Sequence, residues 1–284
     1  MRTLLTHANH LYADAKQVRK MQPYPPLQTL IAAALLRSRG EDVAFFDMTF
    51  ERDFEAALEE FRPDRVVVAE DNFNFLTKMC TLENRRLALE VAAAARSRGI
   101  ESIVNSSDAS DHPGSYRAFD RVIRGELETG LVSGLEISHL DELPMPAWDL
   151  IDVERYRNAW EDAHGYFAMN LVTSRGCPYK CNWCAKPIYG DTYRCVSPSR
   201  AAAEMACVKD LFQPDQIWFA DDIFALSPKW AREFAGEVLR TGARLPFKMQ
   251  SRCDLMTRDS VEALAAAGCE EVWMGAESGS QRVL

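Results

Sequence analysis

The chain has 284 residues, 47% of them hydrophobic and 26% charged, and a formal net charge of −9. That length predicts one large domain or two ordinary ones with enough apolar material for real cores. The acidic balance argues against nucleic acid as a partner, because phosphate binding relies on basic surface.

No run approaches the roughly 18 apolar residues of a membrane-spanning helix, the longest of that kind being Leu30 to Leu36. The N-terminus, Met1-Arg2-Thr3-Leu4-Leu5, is too short in its apolar part for a secretory signal and reads as a first strand. Eight cysteines without such a signal point to a reducing, cytoplasmic compartment and to metal or redox roles rather than disulfides.

Up to about residue 130 the pattern alternates short β-type runs with helical stretches. Thr3 to Thr6, Val43 to Phe46, Arg65 to Ala69, Ser102 to Asn105 and Arg121 to Ile123 are the predicted strands. Leu27 to Arg39, Phe54 to Phe61 and Arg85 to Arg98 carry apolar residues at helical spacing, and Gly40 and Gly99 stand where helix ends belong. This alternation predicts an open parallel sheet covered on both faces, with ligands bound beyond the carboxyl ends of its strands. Those ends carry Glu70-Asp71-Asn72-Phe73-Asn74-Phe75, Asn105-Ser106-Ser107-Asp108 and Arg124-Gly125-Glu126. Such polar loops with aromatics suit a large polar cofactor, and they are equally the composition of ordinary turns. No Gly-x-Gly-x-x-Gly or P-loop follows a strand, which disfavours a nucleotide. The five histidines read as surface or packing residues.

Residues from about 127 to 150 form a linker in which Pro144 and Pro146 favour extended chain. From Tyr166 a second strand–helix alternation begins. Phe167 to Val172 is a buried strand and leads directly into Cys177-x-x-x-Cys181-x-x-Cys184. Thiolates this close on one loop can converge on one metal or cluster. Three ligands with no histidine near them suit a centre that keeps one coordination position open; structural zinc wants four closed ligands, usually as two separated pairs, and stands as the alternative beside unrelated thiols. Gln216 to Ala220 ends in Asp221-Asp222, Pro246 to Gln250 ends in Ser251-Arg252, and Glu271 to Met274 runs on to Gly275-Ala276-Glu277-Ser278. Ser197-Pro198 and Ser227-Pro228 mark helix starts, and Trp230, Phe234 and Val238 form a helical apolar stripe. Polar strand ends in register are where a β/α barrel keeps its catalytic groups. The other cysteines (Cys80, Cys195, Cys207, Cys253 and Cys269) show no pairing pattern.

The cysteine spacing, with Trp183 before the third cysteine, resembles the signature of the radical S-adenosylmethionine (radical SAM) enzymes. The resemblance implies a 4Fe–4S cluster on Cys177, Cys181 and Cys184 whose free iron chelates S-adenosylmethionine, and a 5′-deoxyadenosyl radical formed when one electron cleaves the sulfonium. It implies S-adenosylmethionine contacts at Tyr179, Trp183, Asp221, Asp222, Ser251, Arg252, Glu277 and Ser278.

Tyr24-Pro25-Pro26-Leu27, Phe46-Asp47 and Arg124-Gly125-Glu126 are similar to the cobalamin-binding domain that precedes many such modules. This implies cobalamin against Asp71, Asn72, Phe73, Ser106, Ser107, Asp108, Gly125 and Glu126. The chain lacks the Asp-x-His-x-x-Gly motif, so no histidine is expected beneath the cobalt. As a separate departure, the loop after the fourth strand carries Ser106-Ser107 in place of the usual Gly-Gly pair, which bears on where the cofactor sits. The expected architecture is α/β: a Rossmann-like open parallel sheet over 1–135, a linker over 136–164, and a partial radical SAM (β/α) barrel over 165–284. The resemblance implies that roughly the last third of a family barrel lies beyond Leu284. The expected function is that of a cobalamin-dependent radical SAM methyltransferase acting on an unactivated carbon or phosphorus centre, in which cobalamin carries the methyl group. Alternatives are a ring-forming or rearranging relative and a non-catalytic cluster or cobalamin carrier. Expected partners are a small-molecule or peptide substrate and a one-electron donor such as a flavodoxin or ferredoxin.

Overall fold

A computed structural model describes residues 1–70, 73, 79–182, 184, 186 and 188–283. The chain divides into two compact units, Met1–Gly165 with Gly176–Tyr193, and Tyr166–Arg175 with Arg194–Leu284.

The first unit is built on strands β1 (Arg2–Thr6), β2 (Asp42–Phe46), β3 (Arg65–Ala69), β4 (Glu101–Asn105) and β5 (Arg121–Val122). They form one five-stranded sheet in the order β2-β1-β3-β4-β5, every pair parallel. The predicted strands are all present, with ends shifted by about one residue, as expected where assignment depends on the last ladder bond.

β3 is buried along its whole length because both faces are covered, and its side chains alternate between two cores. Val66 and Val68 pack with Leu4 and Val104 against the helices Phe54–Phe61 and Thr81–Ser97. Val67 and Ala69 pack with Leu5 and Ile103 against the helix Leu27–Ser38 on the other face. Each fully buried valine contributes about 1.5–3 kcal/mol of transfer free energy, so β3 anchors both layers. Strand order reverses between β1 and β3, which opens a crevice at their carboxyl ends.

The predicted linker differs from a free extended chain. No helix or strand forms across 144–147, but Leu127–Leu131 is a short helix, and Leu140–Glu142 and Trp148–Leu150 are single 3-10 turns. Leu127, Leu131 and Ala147 join the core on the helix Leu27–Ser38, and the Ala147 amide donates to Leu30 O at 3.1 Å. Burying these apolar side chains favours the docked path over a solvated one.

The helix Val153–His164 follows and buries only Tyr156 and Trp160, one turn apart. Trp160 Nε1 donates to Pro23 O at 2.7 Å and its ring lies 5.2 Å from that of Tyr24.

The second unit holds β6 (Ala168–Leu171), β7 (Ser174–Arg175), β8 (Arg194–Cys195), β9 (Gln216–Phe219), β10 (Phe247–Ser251) and β11 (Cys269–Met274). A four-stranded parallel sheet runs β11-β10-β9-β6, and β7 pairs antiparallel with β8. Phe219 and Phe247 pack edge-on against each other at 5.1 Å and against Phe234 of the helix Pro228–Thr241 at 5.9 and 6.2 Å. Trp230 stacks on Phe234 at 5.2 Å, so the predicted helical stripe is the cover of this sheet. Among the described residues, no helix is long and apolar enough to cross a membrane.

Candidate functional site

In the first unit the strand ends form a tightly bonded polar edge. Thr6 and Phe46 are register partners, which makes His7 and Asp47 neighbours. His7 Nε2 lies 3.1 Å from Asp47 Oδ1, and the Asn9 amide donates to His7 Nδ1 at 3.2 Å. Tyr156 OH donates to Asp47 Oδ2 at 2.7 Å and the Thr49 amide donates to Oδ1 at 3.1 Å. Burial by itself would raise Asp47, but its bonds from His7, Tyr156 and Thr49 outweigh that and hold the carboxyl below its ordinary range. His7 and Tyr156 carry no sequence motif; the register of two adjacent strand ends is the signal that could have paired His7 with Asp47.

Asn105, fully buried, accepts from Gln28 Nε2 at 2.8 Å and donates to Ile123 O at 3.1 Å and Gly125 O at 2.8 Å. It therefore fixes the Gly125–Glu126 turn beside β4. Ser106 caps the short helix Ser107–Asp111, accepting from the Ala109 amide at 2.8 Å. Both oxygens of Asp108 take Arg85 at 2.7 Å, and Tyr116 OH adds a third donor at 2.8 Å. Burial raises Asp108, and Arg85 and Tyr116 more than offset this, leaving it below the usual carboxylate range. Asp71 and Asn72 lie outside the described residues, as does Trp183.

The cysteine loop Gly176–Tyr193 is part of the first unit. Tyr189 stacks on Phe73 with ring centroids 5.8 Å apart and planes 11° from parallel. A Cβ built on Gly125 would stand 3.8 Å from Ile188 O. The loop thus rests on the turns after β3 and β5, at the carboxyl edge of the sheet.

Gly176 enters the loop at φ +79°, and a Cβ there would meet Thr192 O at 2.1 Å. Left-handed backbone costs a non-glycine residue about 1–2 kcal/mol before any clash. Gly176→Ala is therefore expected to loosen the whole loop, read as faster limited proteolysis within 176–193; unaltered cleavage would contradict this.

Cys177, Cys181 and Cys184 form no disulfide, the first two half-buried and the third exposed. The Cys184 amide donates to Cys181 O at 3.1 Å, a turn that keeps these two together. Tyr179 is half-buried between the first two. Among the described residues, no three His, Cys, Asp or Glu side chains are gathered closely enough to hold a metal ion, so the three sulfurs share a loop without converging on a point.

In the second unit Asp221 follows β9 and is 1% exposed. Thr173 donates to it from its amide at 3.0 Å and its hydroxyl at 2.9 Å, and the Ser174 hydroxyl donates as well. Asp221 thereby ties the end of β9 to the segment between β6 and β7. Burial pushes its carboxyl up to about 7 despite the three donors. A carboxyl raised in the folded state contributes stability that is complete below its ordinary range near 4 and lost as pH rises through about 7. Wild type is expected to lose up to about 4 kcal/mol between those limits. Asp221→Asn, with the same shape and no charge to bury, is expected to flatten that slope in thermal melts from pH 5 to 8. An unchanged slope would show that Asp221 is ionised throughout.

Ser251 is buried at the end of β10, near Phe224 O at 3.5 Å. Arg252 pairs with Asp254 at 2.9 and 3.0 Å. Asp222 and Glu277 are exposed, and Glu277 takes left-handed backbone at φ +53°. Ser278 is half-buried, its hydroxyl accepting from the Ser280 amide at 3.0 Å.

The fold is that of a Rossmann-like region followed by a radical-SAM-like (β/α) region, as in the radical S-adenosylmethionine methyltransferase TsrM of Kitasatospora setae. One structure of that protein, with tryptophan substrate and a SAM analogue bound, matches 100% of this chain and 60% of its own at TM-score 0.73 and 19% identity. Another, with cobalamin and a [4Fe-4S] cluster bound, matches 100% of this chain and 62% of its own at TM-score 0.72 and 18% identity. At these identities the likeness is one of fold.

No family model matches the chain. Among curated proteins, an uncharacterised methyltransferase of Pyrococcus horikoshii is 30% identical over 149 residues, covering 52% of this chain and 31% of that protein. The hopanoid C-3 methylase of Methylococcus capsulatus is 25% identical over 292 residues, covering 89% of this chain and 53% of that protein. The cytidylyl-2-hydroxyethylphosphonate methyltransferase of Streptomyces wedmorensis is 26% identical over 202 residues, covering 63% of this chain and 38% of that protein. The chain thus spans about half, or less, of the length of each of these relatives.

Proposed function

We propose that this chain is the cofactor-binding part of a cobalamin-dependent radical SAM methyltransferase acting at an unactivated carbon or phosphorus centre. The observation that carries the reading is the company kept by the cysteine loop. It belongs to the same compact unit as the Rossmann-like sheet, with Tyr189 stacked on Phe73 and Ile188 beside Gly125. A cluster on that loop and a large cofactor at the sheet's carboxyl edge would share one scaffold, which is what transfer between them needs. The methyltransferases among the relatives support the reaction class.

The donor set fits a cluster: three thiols outside any disulfide on a loop fixed at its base, with no fourth cysteine and no histidine on that loop. Cys177, Cys181 and Cys184 would hold a 4Fe–4S cluster, and assembly would draw their sulfurs together. Trp183, Asp222, Ser251 and Glu277 are proposed on the S-adenosylmethionine side together with Tyr179, Asp221, Arg252 and Ser278. Phe73, Ser106, Ser107, Gly125 and Glu126 are proposed on the cobalamin side, with Asp71, Asn72 and Asp108. When bound, the cluster supplies one electron to S-adenosylmethionine and cobalamin carries the methyl group. The chain's own share is to fix each binding edge within its unit, Asn105 clamping Gly125 in the first and Asp221 tying the end of β9 to Thr173 in the second. Electrons would come from a flavodoxin or ferredoxin, and the substrate is a small molecule or peptide.

The chain incubated with hydroxocobalamin is expected to stay coloured through gel filtration, with a spectrum indifferent to His112→Ala. A protein that emerges colourless at cobalamin well above micromolar would return the reading to a cobalamin-free radical SAM enzyme.

A further inference from the structure

We infer that Lys186 is a positioning residue for the cysteine loop, and that its charge, balanced by Asp191, tunes the reduction potential of the cluster held there. This rests on the reading of Cys177, Cys181 and Cys184 as cluster ligands. An ammonium has three donors and no acceptor, and all three of Lys186 are engaged within the loop. Nζ donates to Cys177 O at 2.9 Å and Tyr179 O at 2.5 Å, and it meets Asp191 Oδ1 at 2.6 Å. Two partners come from the start of the loop and one from its end, so a single cation holds entry and exit together. The Lys186 side chain is 10% exposed and that of Asp191 55%. A long, flexible lysine this covered, with every donor used, is not an idle surface pair. The Gly190 amide donates to Lys186 O at 3.1 Å, which fixes the backbone of the staple itself.

The electrostatic part follows from position. Lys186 lies two residues after Cys184, and its ammonium bonds the backbone carbonyl of Cys177. Reduction of a cluster by dithionite adds one electron and no proton, so the reduced form is one charge more negative. A fixed cation nearby stabilises that form and raises the potential, while a carboxylate lowers it. Asp191 is the more exposed of the pair, so water screens it more and the cation's effect is the larger.

The test uses the whole chain carrying Lys186→Met, Lys186→Arg or Asp191→Asn. In the protein before reconstitution, amide hydrogen exchange over 176–190 should rise several-fold in Lys186→Met and less in Lys186→Arg, whose planar fork cannot meet all three partners. After anaerobic reconstitution, potentials are read by titration with dithionite monitored by electron paramagnetic resonance. Lys186→Met should shift the potential down, Asp191→Asn should shift it up, and Lys186→Arg should stay near wild type. A brace without an electrostatic role would move both neutralised variants the same way, because each loosens the loop. Shifts of the same sign, or no shift in protein that binds iron, overturn the charge role. Unchanged exchange in Lys186→Met overturns the positioning role. Wild type that binds no iron overturns the cluster reading itself, and the exchange experiment still decides whether Lys186 holds the loop.

Discussion

Alanine at Cys177, Cys181 or Cys184 is expected to reduce the iron of the anaerobically reconstituted chain from about four atoms to almost none. Cys195→Ala and Cys253→Ala should leave it unchanged. A cluster bound by three thiolates has no spare ligand among those three, so each removal should act as strongly as all of them together. The other cysteines are poor substitutes. Burial raises the thiols of Cys80 and Cys207 and pushes Cys269 up to about 11, which disfavours the thiolate that binds metal. Cys253 is exposed and sits in the second unit, away from the loop in sequence. Equal iron loss on replacing Cys195 or Cys253 would mean a four-ligand site and no open iron.

Trp160→Ala is expected to destabilise the first unit by about 3–5 kcal/mol, the usual cost of emptying a buried tryptophan site. Trp160 is fully buried, fills the space beside Tyr24, and bonds Pro23 O. Truncation leaves both a cavity and a carbonyl without its donor, which adds about 1 kcal/mol or more. Leu82→Ala, at a side chain 78% exposed, should stay within about 0.5 kcal/mol of wild type. Urea denaturation of both variants checks this, and equal midpoints would show that the helix Val153–His164 does not brace the unit.

The first parallel sheet was legible because its buried strands read as short apolar, β-branched runs, and the second because apolar and aromatic runs such as Gln216–Phe219 alternate with helical stretches. Arg65-Val66-Val67-Val68-Ala69 is the clearest, and the structure buries every residue of it. The helix Val153–His164 escaped the pattern because only two of its twelve residues face a core, too narrow a stripe to stand out from a polar stretch. The short strands β7 and β8, two residues each, give no periodicity at all.

For the candidate site, the sequence marked the strand-end loops but not the side-chain partners within them. Asp108 sits at the expected edge, yet nothing in its neighbourhood announces that Arg85 and Tyr116 occupy its oxygens. Asp221 is likewise at a strand end, and only three-dimensional contact shows Thr173 and Ser174 closing over it. Lys186 carries no motif, since its three partners are gathered by the fold of the loop rather than by spacing.

The proposed site is a three-cysteine cluster whose open iron takes S-adenosylmethionine. It is tested most directly by electron paramagnetic resonance of the reconstituted, dithionite-reduced chain with and without that molecule. Binding at the open iron changes the ligand field of one cluster site, so the spectrum is expected to change at saturating S-adenosylmethionine. A cluster signal indifferent to it would rule out an open iron, because every iron would then already have its ligand.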